Sequence, residues 1–227
     1  MIGTIANTIA ILVGSIVGGM LRHGLKEKYQ DVLYTAMGLA AAGLSINAIV
    51  QNMPNSSYPV LFIASLAIGG VVGSALDLDG RFTKLVTRHS KEGSQLARGL
   101  STGIMLFCIG TLSILGPINS ALYGDETFLF TNAMLDLVTS MVLASTFGYG
   151  MAVAAGVLFA WQSAIYLLAL WLAPLLTGGL MGEISIVGGF LIFASGLSIL
   201  KIKEISTMNL LPALFVPPLW FALMALV

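Results

Sequence analysis

The chain has 227 residues, 57% of them hydrophobic and only 9% charged, with a mean hydropathy of +0.97, against roughly 25% charged residues in an average soluble domain. Basic and acidic residues balance to a formal net charge of +0, so the concentrated Lys and Arg excess that phosphate binding needs is missing and nucleic acid is excluded as a partner. The one cysteine, Cys108, stands in the apolar run from Ile104 to Ile109, which rules out an intrachain disulfide and a cysteine-based metal cluster and leaves packing as its expected role.

The chain opens on an apolar stretch without charge, and its first basic residue, Arg22, comes after that stretch. A cleaved signal peptide carries its basic residues before the apolar core, so residues 3–21 read as a retained span. A hydrocarbon core about 30 Å thick takes about 20 apolar residues per helix. Further windows of that kind lie at residues 33–50, 59–76, 99–116, 130–147, 149–173, 184–200 and 207–226. The expectation is an all-α, polytopic transmembrane helix bundle of about eight spans, with residues 1–227 forming a single integral membrane domain. Only the short stretch from Phe147 to Gly150 separates the fifth window from the sixth, so a re-entrant hairpin is the alternative there.

Charge placement favours full crossings. Arg22, Lys26 and Lys28 fall in the first loop; Arg81, Lys84, Arg88, Lys91 and Arg98 in the third; Lys201 and Lys203 in the seventh. With eight spans and an outer N-terminus these loops all face the cytoplasm, as the positive-inside rule asks, and both termini lie outside. If the fifth window failed to cross, Lys201 and Lys203 would move to the outer side. The outer loops then carry Asp125, Glu126 and Glu183. Within the basic cytoplasmic loop 78–98, Phe82, Leu85 and Val86 recur at helical spacing among Arg81, Lys84 and Arg88, up to a break at Glu92 and Gly93. This is the pattern of an interfacial helix, or of a solvated basic connector that sets topology.

Two small-residue motifs recur and suggest internal helix-pair repeats. Gly43-Leu44-Ser45-Ile46 of the second span returns as Gly110-Thr111-Leu112-Ser113-Ile114 and as Gly196-Leu197-Ser198-Ile199; Gly14 to Gly19 of the first resembles Gly69 to Ser74 of the third. Gly14 with Gly18 and Gly69 with Gly73 suit close helix packing, and such faces also allow homo-oligomerisation. Pro117, Pro212, Pro217 and Pro218 are expected to kink or break their helices.

The residue that stands out chemically is Asp136, mid-way along the fifth span. An ionised carboxylate at bilayer depth costs about 2.5–3.5 kcal/mol on insertion scales, so it faces a cavity or a partner. Asn132, Asp136 and Ser140 follow at intervals of four with Thr139 beside them, a polar stripe on an otherwise apolar helix. No Lys or Arg is expected at that depth, which leaves a protonated carboxyl hydrogen-bonded between helices, a water-filled cavity or a bound cation. Asn7 of the first span, with Thr4 and Thr8, and Gln162 of the sixth, with Ser163 and Tyr166, are candidate co-ligands, although intramembrane amides also serve as helix glue. Oxygen-rich groups of this kind suit a small cation or polar solute.

Catalytic and cofactor signatures are missing. The only histidines, His23 and His89, fall in cytoplasmic loops, so no intramembrane His pair can hold haem or zinc and no Ser-His couple can form. Asp77 ends its span far from the depth of Asp136, which argues against an aspartyl protease. There is no phosphate-binding loop. No enzyme activity, metal or cofactor is expected.

Met1-Ile2-Gly3-Thr4 with Asn7, Phe107-Cys108-Ile109-Gly110, Gly116, Gly124-Asp125, Leu135-Asp136, Ser140, Ala144 to Gly148, Gly150 and Leu211-Pro212-Ala213 stand in an order that resembles the prokaryotic membrane family catalogued as domain of unknown function 554. Leu137 and Ser163 depart from that family's pattern, which has glycine at both positions. The resemblance spans nearly the whole chain and implies a multi-pass bacterial inner-membrane protein without supplying an activity. The residues themselves point to a channel or secondary transporter for a small ion or polar solute at Asp136, in contact with membrane lipid. The alternative is a non-transporting scaffold or sensor acting through the basic loop.

Overall fold

The computed structural model describes residues 1–21, 26–81, 84, 95–173 and 178–224. Among them the regular structure is helical: α1 (Ile2–Met20), α2 (Glu27–Asn52), α3 (Leu61–Ala75), α4 (Gln95–Ile109), α5 (Thr111–Tyr123), α6 (Thr127–Phe147), α7 (Val153–Leu172), α8 (Gly178–Ile199), α9 (Thr207–Leu210) and α10 (Val216–Met224). Six stretches, Ile2–Met20, Lys28–Asn55, Thr127–Phe147, Tyr149–Leu172, Gly178–Ile199 and Thr207–Met224, are long and apolar enough to cross a membrane. Thr102–Cys108 with Thr111–Tyr123 forms a further candidate bent by 42°, and Leu61–Ala75 is a shorter apolar helix.

The breaks follow local backbone chemistry. Between α4 and α5, Gly110 adopts an extended conformation (φ −55°, ψ 136°), while the helix runs on through Pro117; the expected Pro117 break thus lies at the glycine. In the last span Pro212 and Pro217 coincide with the change from α9 to a 3₁₀ segment (Leu211–Phe215) and then to α10, because each proline lacks the N–H that would continue the ladder. Gly148, at φ 88°, makes the left-handed turn that a side chain would strain, and Tyr149–Ala152 leads from it into α7.

The chain divides into two compact units, Met1–Met37 with Phe82–Ala173 and Gly38–Arg81 with Pro174–Val227. In the first, α1 and α6 lie side by side in the same direction: Gly3 meets Leu129, Gly14 meets Leu137 and Ser140, and Gly18 meets Met141. A Cβ at Gly14 or Gly18 would overlap a backbone carbonyl of α6, so glycine sets this approach. Ile11, Phe107, Cys108, Ala154, Ala155 and Leu158 close the core. The opposite face of α1 exposes Ile2, Ile5, Ile9, Val13 and Ile16, as suits lipid contact.

In the second unit α3 lies antiparallel to the last span, Gly69 against Ala213 and Gly73 against the Asn209 carbonyl, while α2 lies antiparallel to α8, Gly196 against Gly38 and Ala42 and Gly189 against Ser45 and Ile49. Phe62 stacks on Phe190 at 4.7 Å, and Tyr58 meets Trp220 and Phe221 edge-on at 5.8 and 5.6 Å. Glu183, placed by the sequence in an outer loop, instead lies in the early turns of α8. It is buried, accepting hydrogen bonds from the Ser56 hydroxyl at 2.6 Å and the Tyr58 N–H at 3.0 Å.

Candidate functional site

Thr4, Asn7, Ile11, Gly14, Ser15 and Gly18 fall on one face of α1, and all are buried. Opposite them α6 buries Leu129, Asn132, Asp136 and Ser140. The seam is therefore polar as well as tight. Asp136 is 4% exposed, and Asn132, one helical turn earlier, donates its amide N–H to the Asp136 carboxylate at 2.9 Å. Ser140 lies against Gly14 and turns its hydroxyl back to the Leu137 carbonyl at 3.0 Å. Thr139 is half-buried beside the stripe.

Asn7 reaches the same carboxylate from α1. Its side chain is 0% exposed and faces Asp136, yet neither its amide nitrogen nor its amide oxygen closes a hydrogen bond of good geometry. Thr4 Oγ1 and Ser15 Oγ, on the same face, are also buried without a partner. An unsatisfied buried polar group costs about 1–3 kcal/mol, so several along one seam are unusual for helix glue alone. Cys108, from α4, stands close enough to Asp136 to interact with it electrostatically.

Gln162 is fully buried and donates to the Ser113 hydroxyl of α5 at 3.2 Å, while its carbonyl oxygen has no partner. Ser113 lies in the recurring motif that reads as an internal repeat, and spacing along its own span does not show that it pairs with Gln162. Its signal was a serine on the recurring glycine motif, buried in both α2 (Ser45) and α5. Thr4 and Ser15 were legible in the same way, as polar residues in phase with Asn7 and Gly18.

At the start of α6, Glu126 accepts from the Met1 ammonium at 3.1 Å, from the Ser120 hydroxyl at 2.9 Å and from the Gly3 N–H at 3.1 Å. Partial burial pushes its carboxyl up, but these hydrogen bonds and the nearby ammonium outweigh it, and the net direction is below the ordinary value of 4.5. In the basic loop, Arg81 and Lys84 are exposed; Phe82, Leu85, Val86, Arg88, Lys91, Glu92 and Gly93 lie outside the described residues, as do Arg22, His23 and His89.

Successive apolar helices of spanning length, with polar side chains turned inward along one seam, define a polytopic helical membrane protein. The chain belongs to the family described as Protein of unknown function (DUF554), which it matches over residues 2–222. It is 58% identical over 218 residues to "Uncharacterized membrane protein YdfK" of Bacillus subtilis (strain 168), covering 96% of this chain and 94% of that protein. It is 30% identical over 238 residues to "Uncharacterized protein YqgA" of Escherichia coli (strain K12), covering 98% of this chain and 100% of that protein. No solved structure matches it.

Proposed function

We propose that the protein is a channel or secondary transporter of the bacterial inner membrane, moving a small ion or polar solute past Asp136, with both termini on the outer side. The observation that carries this reading is the buried Asn7 amide, which turns toward a buried carboxylate while its own amide oxygen has no donor. A polar contact that served only to hold two helices would be expected to satisfy its own hydrogen-bonding groups. An incompletely paired one leaves coordination for something that arrives and departs. Asn132 and Ser140 line the same seam; Gln162 and Ser113 form a second buried polar pair. The orientation rests on the basic residues of the first, third and seventh loops.

The test is flux into proteoliposomes carrying purified wild-type protein or Asp136→Asn, screened with H⁺, Na⁺, K⁺ and small amines and acids. The expected result is flux in the wild type that falls more than about tenfold in the variant. Equal flux in the two, with the variant shown to be inserted and folded, would overturn the reading.

A further inference from the structure

We infer that the seam between α1 and α6 binds one dehydrated monovalent cation at Asp136 and Asn7, and that this cation exchanges there with one proton. The inference rests on the transport reading of the same site and narrows it from a small ion or solute to a class of ion.

Charge counting carries the first half. The seam holds one carboxylate, and the helices that pack against α6, namely α1, α4, α5 and the 149–152 turn, place no Lys or Arg side chain at its level among the described residues. The titratable groups they bring are the Cys108 thiol of α4, close to Asp136, and Tyr123 and Tyr149 at helix ends. Arg98, whose side chain lies outside the described residues, belongs to the first turn of α4. The Met1 ammonium is already paired with Glu126 at the end of the seam. One ionised carboxylate in an apolar surrounding is neutralised by one positive charge; a divalent ion would leave a second charge uncompensated at bilayer depth. Among the described residues no group of three or more His, Cys, Asp and Glu converges, as a multidentate divalent or transition-metal site would require.

Donor chemistry carries the second. The Asn7 amide oxygen is a hard, neutral ligand, fully buried and unpartnered beside the carboxylate. Asn132 holds Asp136 in place at 2.9 Å. Thr4, one turn before Asn7 on the same face of α1, adds an unpartnered hydroxyl. Carboxylate, amide and hydroxyl oxygens are what a small alkali cation takes in place of its water shell. When the cation arrives at the neutral acid, the carboxyl O–H bond breaks, the proton leaves to solvent, and a carboxylate–cation contact takes its place. Both states of the site are electrically neutral, so neither strands a charge in the bilayer, and the exchange is one for one.

The test is binding to the purified full-length protein, independent of flux. Protein in weakly buffered, N-methylglucamine-based detergent solution is titrated with LiCl, NaCl, KCl, CsCl and MgCl₂ from acid to alkaline pH, reading thermal unfolding and proton release with a pH dye. The expected result is stabilisation by at least one alkali cation, release of one proton per cation, and an apparent Kd that rises up to about tenfold per pH unit on the acid side. Asp136→Asn should lose both signals. Asn7→Ala, which keeps the carboxylate, should weaken the cation about fivefold or more and still release a proton; it serves as well if Asp136→Asn does not fold. No alkali-cation effect in folded wild type, a stronger effect of Mg²⁺, or cation binding untouched by either variant would overturn the inference. Flux without cation–proton competition would sink this inference and spare the transport reading; competition without flux would do the reverse.

Discussion

Glu126 and Asp136 stand on one helix and meet opposite circumstances. Asp136 has one close hydrogen-bond donor within its own helix and faces the Asn7 amide from α1, whose oxygen is unpartnered, whereas Glu126 collects donors from Met1, Gly3 and Ser120. A carboxylate held below its ordinary value stabilises the fold above that value and loses the contribution as pH falls through the folded-state value. Glu126→Gln should therefore lower the unfolding temperature at neutral pH, and the gap from wild type should close as the pH drops below about 4.5. Thermal unfolding in detergent from neutral pH downward would show it; a gap constant with pH would mean that the neutral amide is simply a poorer fit.

At the scale of elements, the glycines divide into two kinds. Gly14 and Gly18 lie against α6 so closely that a Cβ meets backbone carbonyls, and backbone cannot move aside as a flexible side chain can. Gly156 has nothing within 4 Å of its would-be Cβ. Gly14→Ala should cost about 1–3 kcal/mol and Gly18→Ala a similar amount, while Gly156→Ala should be neutral or stabilise by up to about 1 kcal/mol through helix propensity. Equal melting temperatures for all three would contradict the packing described. Much at this scale was legible in sequence: the polar stripe of Asn132, Asp136 and Ser140, and the small-residue face of α1. What was not legible is that these two faces meet, since spacing along one helix says that a close partner exists without saying which. The break at Gly110 was hidden for a related reason. Proline announces a missing N–H, but glycine in a span reads equally as close packing, and at Gly43 the same motif runs through an unbroken α2.

For the whole molecule, helix directions constrain how often the chain crosses the bilayer. α1 and α6 run the same way, so an odd number of crossings separates them. α2 supplies one; α3 and the bent pair α4–α5 then cross together or not at all. α3 runs opposite to the last span, and with α6, α7 and α8 between them an even count requires the bent pair to cross whenever α3 does. Six crossings and eight both satisfy the α1–α6 relation, and seven does not; eight, the count in the reading proposed above, uses every apolar helix. In that proposed arrangement the basic loop faces the cytoplasm and the turn at Asp125 the outside, the sides that charge placement asks for. In a Cys108→Ala background, Asp125→Cys should react with a membrane-impermeant maleimide in intact cells and Lys84→Cys only after permeabilisation. Labelling of Lys84→Cys in intact cells would overturn the eight-crossing arrangement.

Both units are assembled from segments that the ribosome delivers far apart. α1 leaves the insertion machinery with Asn7 and its hydroxyl neighbours bare, and its partner α6 begins only at Thr127. At about 5–20 residues per second that wait is on the order of ten seconds. The other unit needs the stretch from Pro174 to Val227, so neither can close early in synthesis. The polar face of α1 is thus made well before the helix it packs against, and the seam that holds Asp136 can close only once both ends of this long interval have been synthesised.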